Sequence, residues 1–99
     1  MWRLSLLFSK TGELNPKEAE FLAWFMAYGE THIDESGRRL YPSTQFIVKT
    51  ISTYSRHVDY VVSKGYLTYR MGDVLYPTPR ADVWWTTYQK RAIRRNTGL

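Results

Sequence analysis

Cysteine is absent from all 99 residues. That excludes disulfide staples, thiolate nucleophiles and cysteine-based metal sites. Long apolar runs are also missing: nothing approaches the roughly 20 consecutive apolar residues that a membrane-spanning helix requires. The opening stretch MWRLSLLF is too short for a signal peptide or a span, and no small-residue cleavage site follows it. The expectation is a cytoplasmic protein with no membrane partner. Catalytic groupings are scarce. The two histidines, His32 and His57, lie far apart in sequence, and there is no glycine-rich phosphate loop, serine nucleophile elbow or Cys-His pair. His32, Asp34 and Glu35 share a polar segment with no further metal ligand near them. The reading is therefore of a protein that is not an enzyme and uses no metal and no cofactor.

Acidic residues are few after residue 35, and this scarcity is informative. Residues 1–35 carry three Lys or Arg against six Asp or Glu, a net of −3; residues 36–99 carry eleven against three, a net of +8. An acidic start followed by a basic two-thirds places a polyanion-facing surface on the later segments. An apolar fraction of 43% is enough for a packed core, and the length suits one small domain, so 1–99 reads as a single unit with a core of about 15–80. Four Trp, eight Tyr and four Phe are more rings than so small a core hides easily, which leaves some for the surface or a partner contact.

Hydrophobic periodicity orders the elements. Trp2, Leu4, Leu6 and Phe8 alternate with polar residues, the pattern of an N-terminal strand. Asn15, Pro16 and Glu18 form a capping box with proline at the first helical position, and Phe21, Leu22, Phe25 and Tyr28 continue the helix to a stop at Gly29. Residues 30–39 are polar and read as a loop, with a short strand available at 38–41. Pro42 and Ser43 open a second short helix, with Phe46, Ile47 and Ile51 available to the core. A third helix follows almost at once. Tyr66 to Arg70 and Val74 to Tyr76 flank a Met-Gly-Asp turn, which reads as a β-hairpin closed by Pro77 and Pro79. A last helix, about 81–95, carries Ala81, Trp84, Trp85, Tyr88 and Ala92 on one stripe.

The third helix, about 52–64, is the most informative element. Ser52 reads as its cap and Gly65 as its C-terminal stop. Tyr54, Val58, Val61 and Val62 fall on one side, while Thr53, Arg56, His57, Tyr60 and Lys64 fall on the other. One face suits a core; the opposite face offers donors, a cation and a ring, as a major-groove helix requires.

Two short, closely spaced helices followed by a hairpin resemble the winged helix-turn-helix family of DNA-binding proteins, over about residues 16–81. The run STYSRHVDYVVSKGYLTYR is similar to the recognition helix and first wing strand of MarR-like and PadR-like regulators, through Ser52-Thr53, Ser55-Arg56, Val58, Val61 and Gly65-Tyr66-Leu67. The second helix lacks the small residues usual at its centre and turn. The resemblance implies an α+β, mainly α fold: a winged helix-turn-helix with a two- to three-stranded wing sheet, plus the N-terminal strand and C-terminal helix as additions. It implies double-stranded DNA as partner and transcriptional regulation as role. Thr53, Ser55, Arg56, His57 and Tyr60 would face the groove, and Lys49, Lys64 and Arg70 the backbone or minor groove. Trp84, Trp85 and Tyr88 are candidates for a homodimer contact, or for folding back on their own core. Replication, partition or excision in a mobile element is an alternative within the DNA-binding class. A protein-interaction module using the Trp-rich surface is the alternative outside it.

Overall fold

The computed structural model describes residues 13–51, 53 and 55–97, with side chains described as far as residue 91. The strand expected at 2–8, the cap at Ser52 and the core position at Tyr54 lie outside the described residues. Elsewhere the order is α1 (Pro16–Thr31), α2 (Thr44–Thr50), α3 (Ser55–Ser63), β1 (Leu67–Arg70), β2 (Val74–Pro77) and α4 (Pro79–Thr97). The fold is α+β and mainly helical, with one antiparallel two-stranded sheet among the described residues. An isolated bridge between Ser43 and Val74 lays the chain before α2 against the hairpin.

Each boundary has a local cause. Asn15 Oδ1 accepts the Glu18 amide at 2.8 Å while Asn15 N–H donates to Glu18 Oε1 at 3.0 Å, so the expected capping box is formed on both sides. Ser43 Oγ accepts from Phe46 N at the start of α2. Gly65, at φ 88°, ends α3 in a left-handed turn. The Gly65 and Tyr66 amides bond back to the carbonyls of Val62 and Val61, a Schellman pair that satisfies two orphan acceptors. α4 starts at Pro79, two residues earlier than expected, because proline is well placed at a first helical position. The Thr78 amide donates to Tyr66 O at 3.0 Å and its hydroxyl to Gly65 O, so the start of α4 is tied to the end of α3.

The core sits where α1, α2, α3 and the hairpin meet. Phe21, Leu22, Phe25 and Met26 from α1 pack with Ile47, Val58, Val61, Tyr66, Leu67, Leu75 and Ala81. The α1 stripe and the valines of α3 are thus buried as their spacing predicts. Of the three apolar residues expected from the second helix, Ile47 is buried, Ile51 half-buried, and Phe46 stays 39% exposed beside the Tyr28 ring.

Two expectations are corrected. Gly29 does not stop α1, which runs on to Thr31 with His32 as its cap. Its role is close approach. The Tyr41 ring lies where a Gly29 side chain would be, stacked on Phe25 at 5.0 Å and meeting Tyr76 edge-on at 5.9 Å. The segment 38–41 forms no strand; Ile33 and Arg39 share a single bridge. The loop is closed instead by Asp34, whose Oδ1 accepts from the Ser36 amide, the Ser36 hydroxyl and the Arg38 amide. These bonds, the Ser36 hydroxyl first, hold the Asp34 carboxyl below its ordinary range.

Gly29→Ala sets two effects against each other. Alanine gains up to about 1 kcal/mol in an exposed helix interior, but here its Cβ meets a ring held between two others, and overpacking typically costs about 1–3 kcal/mol. The expected outcome is a net loss of stability in urea unfolding, smaller when Tyr41→Leu is already present.

Candidate nucleic-acid interface

α3 can hold its candidate side chains in place because its inner face is anchored. Val58 and Val61 are buried, and three elements, α1, α2 and β1, pack against it. Four residues, 51–54, separate α2 from α3 along the chain. Turned outward are Arg56, Asp59, Tyr60 and Ser63, all exposed, with Tyr60 at 56%. Thr53 is exposed in a short helical turn just before α3, and Ser55 is half-buried at its first position. The helix therefore begins at Ser55 rather than at 53.

His57 is placed differently from the expected groove face. Its ring is half-buried, and Nδ1 is shielded from solvent with no hydrogen-bond partner in the protein. Only part of the imidazole is available to a ligand. Asp59 was missed in the sequence reading. It lies on the exposed side of α3 and accepts a hydrogen bond from the Tyr69 phenol at 3.4 Å, linking the helix to β1. Burial, and then the Asp59 charge, push the Tyr69 phenol above its usual range.

Lys64 is the clearest correction. Its ammonium, expected on the polar face of the helix, is engaged within the fold. It lies 2.6 Å from Glu18 Oε1 and 2.8 Å from Glu13 O, with the Glu18 side chain only 3% exposed. The helical period assigns Lys64 to the polar side, but α3 ends there, and the long stem reaches back to the start of α1. Sequence reasoning found Glu18 as half of a capping box and missed that the same oxygen is a buried anion needing a cation.

Three cations remain at the candidate interface. Arg56 is exposed on α3, and Lys49 is exposed on the last turn of α2 beside a shallow depression of about 390 Å³ lined by Thr44, Gln45 and Val48. Arg70 is exposed at the end of β1, with its guanidinium 4.9 Å from the Tyr76 ring centre. The hairpin pairs Leu67 with Pro77 and Arg70 with Val74. Its far side is fastened to α2: the Thr44 amide donates to Asp73 O, and the Gln45 amide to Asp73 Oδ2, each at 3.4 Å. α2, α3 and the hairpin are thus held together by both packing and backbone hydrogen bonds.

The aromatic residues of α4 divide into two groups. Trp84 and Trp85 are half-buried against the core, and Trp85 Nε1 donates to Glu30 Oε2 of α1 at 3.0 Å. Trp84 and Tyr88 stack at 5.0 Å. Val83 and Tyr88 stay 69% and 41% exposed, and with Trp84, Thr87, Tyr66, Arg80 and Arg91 they line a groove of about 480 Å³. Among the described residues no group of three or more His, Cys, Asp or Glu is arranged to hold a metal ion, and no helix is long and apolar enough to cross a membrane.

No protein-family model matches the chain, and neither the curated proteins nor the solved structures yield a significant match.

The Lys64 geometry makes a definite prediction. Removing one partner of a buried ion pair typically costs about 3–5 kcal/mol, whereas an exposed pair costs about 1 kcal/mol or less. Lys64→Met is expected to fall in the first range in urea unfolding. A loss in the second range would place the ammonium in solvent, free for another ligand.

Proposed function

We propose that the chain is a winged helix-turn-helix protein that binds double-stranded DNA, inserting α3 into the major groove and laying the β1–β2 hairpin along the adjoining backbone or minor groove. Transcriptional regulation is the role this reading gives it. The observation that carries the reading is the arrangement of α3. One face is buried, and the other presents Arg56 and Tyr60 to solvent. The helix is preceded by α2 after a four-residue connection and followed by the hairpin through the Gly65 turn. This order suits a recognition helix and its wing.

The chemistry divides among the exposed groups. Arg56 can donate two hydrogen bonds to a guanine edge, and Tyr60 can contact bases or sugar. Thr53 and Ser55, near the start of α3, suit phosphate oxygens, where the helix dipole helps. Lys49 and Arg70 add backbone contacts from either side. Asp59 would repel a phosphate, but its carboxylate can accept from a cytosine amino group. It therefore favours a base-reading role for this face over a purely electrostatic one. The net charge of +8 over residues 36–99 supplies the long-range attraction.

A homodimer belongs to the same reading. Val83 and Tyr88 are large and exposed, and both line the groove along α4. Two copies joined there would present two α3 helices to half-sites about one DNA turn apart. Trp85 is turned to its own α1 and belongs to the fold more than to this contact. Light scattering at high micromolar concentration is expected to give twice the monomer mass of 11.7 kDa. A monomer for wild type would remove the dimer from the proposal.

Fluorescence anisotropy with random-sequence duplex DNA across a salt series tests the central reading. Binding is expected to weaken steeply with salt. Arg56→Ala is expected to reduce affinity for the preferred sequence about tenfold, as loss of a bidentate guanine contact would. Absence of binding at low salt would overturn the reading.

A further inference from the structure

The turn that joins β1 to β2 contains the least protected large apolar side chain among the described residues. Met71 is 95% exposed, and its backbone is left-handed at φ 46°, next to Gly72 at φ 78°. Successive positive φ angles at a hairpin tip favour Asn-Gly or Gly-Gly, because a side chain at the first position crowds its own carbonyl. Methionine adds backbone strain there, and its thioether stem gains nothing from burial. Neither stability nor solubility accounts for a methionine at this position, and strain held at an exposed site motivates a functional hypothesis.

The surroundings show that the tip is presented on a fixed base. Arg70 and Val74 form the last pair of the hairpin. The Arg70 guanidinium is braced over the Tyr76 ring. Asp73, on the other side of Met71, is bonded through its carbonyl and its carboxylate to the first amides of α2. The carboxylate nearest the tip is therefore turned toward α2, while Arg70, the residue before Met71, supplies a cation held over the Tyr76 ring. An unbranched apolar side chain flanked by arginine matches what minor-groove wedges use: a cation drawn by the negative potential of the groove, and an apolar group that slips between base steps and unstacks them.

Resting on the DNA-binding reading above, the geometry points to Met71 as a minor-groove wedge: its side chain inserts at a flexible base step when the wing docks, and the duplex is kinked at that point. The protein then reads DNA deformability through the wing as well as base edges through α3.

The test uses a short duplex with a central run of TA steps and donor and acceptor dyes at its ends. Wild type, Met71→Gly, Met71→Leu and Arg56→Ala are compared at saturating protein and low salt. Wild type is expected to raise energy transfer on binding. Met71→Leu keeps an apolar wedge and is expected to retain the rise. Met71→Gly is expected to leave the duplex straight and to bind about tenfold more weakly, the factor that corresponds to burying one such side chain. Because glycine relieves the left-handed strain, its Tm is expected to equal or exceed that of wild type, which separates loss of the wedge from loss of the fold. Arg56→Ala is expected to bind more weakly yet bend the duplex once saturated. Bending by Met71→Gly equal to wild type, or binding by wild type without bending, overturns the wedge and leaves the DNA-binding reading standing. No binding by wild type overturns both.

Discussion

The buried ion pair between Lys64 and Glu18 is the constraint on which the rest of the fold depends. Glu18 Oε1 accepts from two donors, the Asn15 amide and the Lys64 ammonium, and so joins the first turn of α1 to the residue that follows α3. A carboxylate with 3% of its side chain exposed is costly unless matched, and the ammonium that matches it is also bonded to the Glu13 carbonyl. An apolar contact at the same place would tolerate sliding, because dispersion and burial have little directionality. A short charge-assisted bond does not. The ion pair therefore helps to fix, from the far end of the helix, the direction in which Arg56 and Tyr60 project.

A second anchor fixes the hairpin relative to α2. Asp73 caps the amides of Thr44 and Gln45, and the Ser43–Val74 bridge adds a backbone contact beside it. Behind these, Phe25, Tyr41 and Tyr76 form a row of rings running from α1 to β2, with Gly29 leaving the space that Tyr41 occupies. Helix and hairpin are thereby held from two sides, while Arg56 and Tyr60 on α3 and Met71 at the hairpin tip stay exposed. The proposed division of labour, with α3 for base edges and the wing for the backbone and groove shape, follows from that contrast between a stiff base and exposed groups.

Much of the architecture was legible in the residues because it depends on local rules. The capping box at Asn15, the proline at the first position of α1 and the glycine stop at Gly65 act over three or four residues, and each forms where its pattern stands. The valine stripe of α3 and the aromatic stripe of α1 likewise bury the faces that their period assigns. Errors arose where one residue type serves two purposes. Gly29 matches a helix stop because glycine usually marks one, yet here the missing side chain makes room for a ring twelve residues later. Helical phase puts Lys64 on the polar face toward a DNA backbone, but phase says nothing of where a four-carbon stem can reach at a helix end. His57 carried the same ambiguity, and the fold turned part of its ring inward.

The sequence by itself determined the element order, the caps, the buried stripes and the concentration of positive charge after residue 35, since each is a matter of short-range sterics, periodicity or counting. Only the tertiary structure decided which polar groups are spent on the fold and which are left for a partner. Lys64, Trp85 and Asp73 are engaged across separations of 28 to 55 residues, whereas Arg56, Tyr60 and Met71 remain exposed. That sorting depends on which distant atoms come within hydrogen-bonding reach, and no periodicity along the chain encodes it.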